Sequence, residues 1–358
     1  MKKNLIIANT YFQLLTAINL TINNFKSDEC SIVLTDKSFG VQEKVEKIKK
    51  LNLFKEVIYI ESKRICDKSN KVNKYITYLF NRKLILKDLI KDDYDNIIFF
   101  NYDILMYAIV DEIYERNNNV CLQEYDEGYI TYLYDREINK INLLLRKIFR
   151  KVDIKSKIDS KYLYHPELIC YKTNKKIKKI NPLDGDANLV KYFNEVFDYN
   201  EKLFIKEKYI FFEESFFCDN KEIDDLDLIL DIANVVGKDN LIVKLHPRNK
   251  INRFEKYGIH TMKNIGIPWE IIQMNDDFSN KVLLTISSGS VLASRLYFND
   301  DIKTYLLYNC TSQMSDMVTD KYKEYLNKLK SNIGIDSFII PNCKSEFLDM
   351  IRKENETN

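Results

Sequence analysis

Leu241-Ile242-Val243-Lys244-Leu245-His246-Pro247-Arg248 is an apolar run that stops abruptly at a histidine, a proline and a cation. A short segment rich in aliphatic and β-branched residues reads as a buried strand, and Pro247 cannot continue a central ladder, so His246 should stand where the strand ends. In open α/β sheets that edge is where ligands bind. Ser287 stands forty-one residues after His246, where Val282-Leu283-Leu284-Thr285-Ile286 ends in Ser287-Ser288-Gly289-Ser290, followed by Val291-Leu292-Ala293-Ser294. The order is strand, small polar turn, helix. Such a turn offers hydroxyls and free backbone N–H groups at a helix N-terminus, a cradle for phosphate. Together the two stretches put a histidine and an anion nest on two strand ends of one sheet.

The same alternation extends towards the N-terminus. Leu5-Ile6-Ile7-Ala8 reads as a first buried strand, followed by the polar turn Asn9-Thr10-Tyr11-Phe12-Gln13 and an apolar-periodic run from Leu14 to Leu20. Further strands are expected at Ile32–Leu34, Val57–Ile60, Ile97–Phe100 and Val120–Leu122, with helix-period segments between them. This predicts an α/β fold with mostly parallel sheets. Asn181-Pro182-Leu183-Asp184-Gly185-Asp186 is the clearest break, and the strand pattern restarts at Tyr209-Ile210-Phe211-Phe212. At 358 residues the chain is long for one core. The expected division is an N-terminal domain over 1–185 and a C-terminal domain over 205–358.

Bulk properties narrow the function. A hydrophobic content of 45% with 30% charged residues is ordinary for a soluble globular chain, and a net charge of +2 with no recognised motif disfavours nucleic acid. The seven cysteines (Cys30, Cys66, Cys121, Cys170, Cys218, Cys310, Cys343) are scattered and lack any C-x-x-C, which argues against a disulfide framework or a zinc site and fits a reducing compartment. No stretch approaches a membrane span or a signal peptide, so the expected location is cytoplasmic, with any membrane contact peripheral. His165, His246 and His260 are isolated, and no metal site is expected.

Four other features bear on chemistry. Gln123-Glu124-Tyr125-Asp126-Glu127-Gly128-Tyr129 sets two adjacent carboxylates and a glycine at a strand's carboxyl end, where like charges raise one pKa; the plain alternative is an acidic turn. Ile267-Pro268-Trp269-Glu270 carries a carboxylate able to bind the hydroxyls of a ribose or, equally, a surface glutamate beside a packed aromatic. Residues 140–179 hold 13 Lys and Arg against Asp153, Asp159 and Glu167, a balance that suits anionic lipid or, equally, a solvated helix face and linker. The Asp-x-Asp at Asp225-Leu226-Asp227 opens a helix and reads as capping chemistry, and His165-Pro166 reads as structural.

A transferase suits two such domains: a nucleotide donor in one, an acceptor in the other. His246 would protonate or neutralise the leaving phosphate oxygen, and Asp126, or else Glu127, would take the proton of the attacking hydroxyl, giving inversion. The chain resembles bacterial sialyltransferases, most closely glycosyltransferase family 52, which includes lipooligosaccharide and capsule enzymes. The shared motifs stand in order as Asp126-Glu127-Gly128, His246-Pro247 and Ser287-Ser288, joined by the Asn9-Thr10-Tyr11-Phe12-Gln13-Leu14-Leu15 opening and Pro268-Trp269-Glu270.

The resemblance implies a GT-B-like fold, two Rossmann-type domains facing across a cleft, with CMP-sialic acid as donor substrate and no cofactor or metal. It implies His246 as general acid, Ser287 and Ser288 on the phosphate with Pro247 and Gly289 beside them, Glu270 on the ribose and Asp126 as base. In some relatives the base precedes the His-Pro strand, which makes Asp219, or Glu214, a rival. The implied partners are a nucleotide sugar, a lipid-linked glycan acceptor and, by analogy with relatives that form dimers, a second copy; some relatives begin with a membrane anchor, and the basic 140–179 region, read from its charge, would replace it on an anionic membrane surface. The same architecture also serves UDP-hexose donors, and a non-catalytic scaffold would need neither His246 nor the carboxylates.

Overall fold

In the computed structural model, which describes residues 1–38, 40–62, 82–83, 85–136, 138, 140–183, 186–200, 204–223, 225–262, 266–298, 300–333 and 337–356, the chain forms two sheets. Cys66 and the expected helical segment around it lie outside the described residues. Met1–Asn181 with Ala187–Asp198 make up the first unit, and Pro182–Asp186 with Tyr199–Asn358 the second.

The first sheet has seven strands in the order β3-β2-β1-β4-β5-β6-β7: β1 Lys3–Ala8, β2 Glu29–Thr35, β3 Val57–Ile60, β4 Asn96–Phe99, β5 Cys121–Tyr125, β6 Ile158–Leu163 and β7 Lys176–Lys179. All pairs are parallel. The inner strands are apolar and buried because helices cover both faces of a parallel sheet. Register at the centre is pinned by a buried amide row: Asn96 donates to Asn4 at 2.7 Å and Gln123 donates to Asn96 at 3.3 Å. Thr10 caps the helix Tyr11–Asn19 by accepting from the Gln13 N–H. Helix Ala187–Phe197 returns to this unit, its Phe197 meeting Tyr11 edge-on at 5.0 Å.

The second sheet has six parallel strands in the order β10-β9-β8-β11-β12-β13: β8 Tyr209–Phe212, β9 Leu241–Lys244, β10 His260–Thr261, β11 Val282–Thr285, β12 Lys303–Leu306 and β13 Phe338–Ile339. Each sheet therefore reverses its winding once, between β1 and β4 and between β8 and β11. These are the points at which an open α/β sheet leaves room for a ligand.

Strands β6, β7, β10 and β13 depart from the sequence expectation. β6 and β7 fall inside the basic region read as helix and linker. β6 escapes the apolar pattern because Lys161, only 3% exposed, is neutralised within the fold by Glu124 at 2.8 Å and Asp135 at 2.6 Å. The Gly237 helix stop is present, at φ 87°, after helix Asp225–Val236. Asp225 stands in that helix's first turn, but its carboxylate is paired with Arg253 rather than left to cap.

Candidate active site

In the second unit three segments leave the carboxyl edge side by side. Pro247 breaks β9 as expected, and His246 stands just past its end, partly buried. The turn is held by Glu213, a buried carboxylate that accepts the His246 N–H at 3.1 Å and binds Arg253 at 3.0 and 3.2 Å. The imidazole Nδ1 accepts the Arg248 N–H at 3.2 Å, so a neutral ring carries its proton on Nε2. Burial, then the charges of Arg248 and Lys244, push the His246 pKa down. Asp219, the rival base, lies in the segment after β8 that also carries Glu213. The Ser215 hydroxyl donates to Asp219 at 2.7 Å and Arg248 grips it at 2.9 and 3.1 Å, which holds its carboxyl below the ordinary range and makes it a weak proton acceptor.

Glu270 reaches the same edge from the helix Trp269–Asn275. Trp269 anchors that helix by packing edge-on against Phe212 at 4.7 Å and against Phe278 at 4.8 Å. Burial raises the Glu270 pKa, opposed by the positive charge of Lys244, and burial lowers that of Lys244. Lys244 was not singled out from the sequence. The available signal was its place: a lysine inside an apolar strand, two residues before the histidine.

After β11 the turn Ser287-Ser288-Gly289 is followed by a 3-10 turn, Gly289–Leu292, and a single α-turn, Ala293–Leu296. The expected helix dipole is thus short, and the donors are local hydroxyls and N–H groups. Ser288 accepts the Ser290 N–H at 3.3 Å and donates its own N–H to Thr285 at 3.1 Å. Ser287, through both N–H and hydroxyl, and Thr285, at 3.1 Å, donate to Glu214, the residue that leaves β8. The cradle therefore already holds an anion, a carboxylate whose pKa burial raises against those hydrogen bonds.

In the first unit Asp126 and Glu127 leave β5 with opposite fates. Asp126 is fully buried; it accepts from the Tyr132 hydroxyl, the Gly128 N–H at 2.9 Å and the Tyr164 N–H at 3.2 Å. Burial pushes its pKa up to about 7 against these three bonds. Gly128, at φ 83°, makes the turn possible. Tyr132 also accepts the His165 N–H at 3.2 Å, which puts the second His-Pro beside Asp126 as part of its support.

Glu127 is partly exposed and turned towards β1. It accepts from Thr10 at 3.0 Å and from Gln13, whose amide also donates to Asn101 at 2.7 Å. Asn9 completes the lattice, donating to Asn101 at 2.8 Å. Burial raises the Glu127 pKa, opposed first by the Gln13 and Thr10 bonds and then by Arg136 and Lys37. The Asn9–Gln13 opening thus serves the acid motif, a link no local pattern could reveal.

The described residues contain no group of three or more His, Cys, Asp or Glu able to hold a metal, and no helix among them is long and apolar enough to cross a membrane.

Comparison with known proteins adds a family. A family model described as Alpha-2,8-polysialyltransferase (POLYST) matches residues 4–307. No curated protein matches the chain. Among solved structures, Arabidopsis thaliana UGT89C1 complexed with UDP-L-rhamnose is similar at TM-score 0.53 and 10% identity, covering 100% of this chain and 89% of that one. The calicheamicin glycosyltransferase CalG4 gives TM-score 0.50 and 10% identity over 99% and 89%. A Photobacterium damsela sialyltransferase gives 0.48 and 13% over 95% and 81%. The fold is that of the GT-B glycosyltransferases, as expected from the sequence.

Proposed function

Because the chain belongs to the alpha-2,8-polysialyltransferase family and is a glycosyltransferase, we propose that it moves sialic acid from CMP-sialic acid, with inversion and without a metal, to a hydroxyl of a cell-surface glycan. The observation that carries the donor half is the edge after β9. There His246 keeps Nε2 for the substrate, Lys244 supplies positive charge, and the Ser287-Ser288 turn carries hydroxyl and N–H donors, those of Ser287 now on Glu214, that a donor phosphate would take over. Glu270 would hold the ribose and Lys244 the anionic part of the donor. The acceptor oxygen attacks the anomeric carbon of sialic acid; the bond to the CMP phosphate oxygen breaks, and the electron pair leaves with CMP, neutralised by protonated His246.

Glu127 is the better base. Asp126 spends its carboxylate on three internal donors, whereas Glu127 is partly exposed, at a switch-point edge, with a raised pKa. The family description favours an α-2,8 linkage, in which the attacking group is the 8-hydroxyl of a terminal sialic acid. A capsule or lipooligosaccharide chain on a lipid carrier would be the acceptor, met at the inner face of the cytoplasmic membrane.

Calorimetry with CMP, UMP and UDP on the wild-type chain and on Ser288→Ala tests the donor. Selective CMP binding, weakened by the serine change, is expected. Equal binding of CMP and UDP would favour a UDP-hexose donor. Binding of none would leave a scaffold.

A further inference from the structure

The helix Lys140–Ile148 turns part of its apolar side outward and a cation inward. Arg146, 2% exposed, enters the first unit's core and meets Asp111 at 2.6 and 3.2 Å, the Val152 carbonyl at 3.0 and 3.2 Å and the Tyr107 ring at 4.9 Å. Leu145 and Val152 pack on the same core. The backbone then closes through the Lys151 N–H to the Arg146 carbonyl at 2.8 Å, with Arg150 at φ 50°. This anchor fixes which way the rest of the helix faces. Leu143, Leu144 and Ile148 are 45%, 59% and 62% exposed, and Lys140, Lys147 and Arg150 are exposed among them.

We propose that this face docks on an anionic lipid bilayer, with Leu143, Leu144 and Ile148 entering the interface and Lys140, Lys147 and Arg150 among the phosphates. Charge complementarity selects that occupant: aliphatic side chains interleaved with cations on one convex helix match an acidic headgroup layer over an acyl layer. A second copy fits poorly, because a two-fold contact would set these cations near their own counterparts. The proposal deepens the reading of a membrane-borne acceptor by assigning the part of the chain that meets the membrane. It rests on that reading for its purpose, not for its test.

The test is co-sedimentation of the full chain with phosphatidylcholine vesicles and with vesicles containing phosphatidylglycerol, for the wild type, Leu144→Asp/Ile148→Asp and Lys140→Glu/Lys147→Glu. The wild type should pellet with the anionic vesicles only, less so in high salt, and each double variant should lose about tenfold or more of that binding. Thermal melting and CMP binding should be unchanged, since the altered side chains are exposed. Equal binding to both vesicle types, binding to neither, or variants that bind like the wild type would overturn the proposal. So would self-association abolished by Leu144→Asp/Ile148→Asp, which would make the face a contact between copies. CMP affinity, measured in the same samples, reports separately on the sialyl-transfer reading.

Discussion

The two sheets share one winding but reverse the chemistry at their centres. In the first unit the carboxylate, Glu127, comes from the fifth strand and its donors, Thr10 and Gln13, from the segment that leaves the first. In the second the carboxylate, Glu214, leaves the first strand, β8, and its donors, Thr285 and Ser287, come from the end of β11 and the turn after it, across the switch point. Charge separates the two edges further. Lys244, His246 and Arg248 alternate from the last residue of β9 onward, whereas the hydrogen bonds to Glu127 come from neutral groups. Strand order fixes where a site can form, and side chains fix whether it accepts a proton or holds an anion.

The largest effects should fall on the two groups assigned to proton transfer. His246→Ala and Glu127→Gln are each expected to lower kcat by about 10²–10⁴-fold in a sialyl-transfer assay while leaving the melting temperature near that of the wild type. A Glu127→Gln chain of normal activity would return the base to Asp126. Asp126→Asn should behave in the opposite way, costing about 1–3 kcal/mol of stability because an amide nitrogen would face backbone donors. Its proton also carries a sign. With the folded pKa raised to about 7 from an ordinary value of about 4, the folded chain keeps a proton that the unfolded chain releases. This group's contribution to stability is therefore greatest at acid pH, falls as pH rises from about 4 to about 7, and is flat above. Melting curves across that window should lose the slope in Asp126→Asn.

Most of the proposed donor half was legible in the sequence, because each piece is a local event: His246 and Pro247 just past β9, a small polar turn after β11, an acid after Pro268. The proposed acceptor half was legible only as a pair of acids. Nothing local tells that Asp126 is sealed by Tyr132 and Tyr164 while Glu127 meets Thr10 and Gln13, because those partners lie as many as 117 residues away. The polar strand β6 was hidden for a related reason: its lysine is paid for by acids on other segments. Likewise, composition revealed the charge of the Lys140–Ile148 helix, but only packing shows which side chains face out.

Glu214 sharpens the comparison of the two edges. It occupies the donors assigned to the CMP phosphate, so an incoming phosphate must displace it or share the cradle with a second anion. Glu214→Gln is accordingly expected to tighten CMP about tenfold at pH 8, roughly the 1.4 kcal/mol that such a factor represents, and to leave cytidine binding unchanged. Weaker CMP binding in Glu214→Gln would show instead that the carboxylate shapes the serine turn for the phosphate.

The smallest effect is a shift along the pH axis, and it separates the free second unit from its donor-bound form. In the free chain His246 has a lowered pKa, from burial, from Arg248 and Lys244, and from the Arg248 N–H, which favours a neutral ring. A donor phosphate beside Nε2 adds an opposite charge and raises it. As a general acid His246 must be protonated, so the alkaline limb of kcat/KM for the donor, which reports the free chain, should fall at lower pH than the limb of kcat, which reports the complex. CMP binding should then take up a proton between the two limbs, measurable by calorimetry in buffers of different ionisation enthalpy. Coincident limbs and no proton uptake would mean that His246 meets the phosphate as a neutral hydrogen-bond donor, with the positive charge left to Lys244.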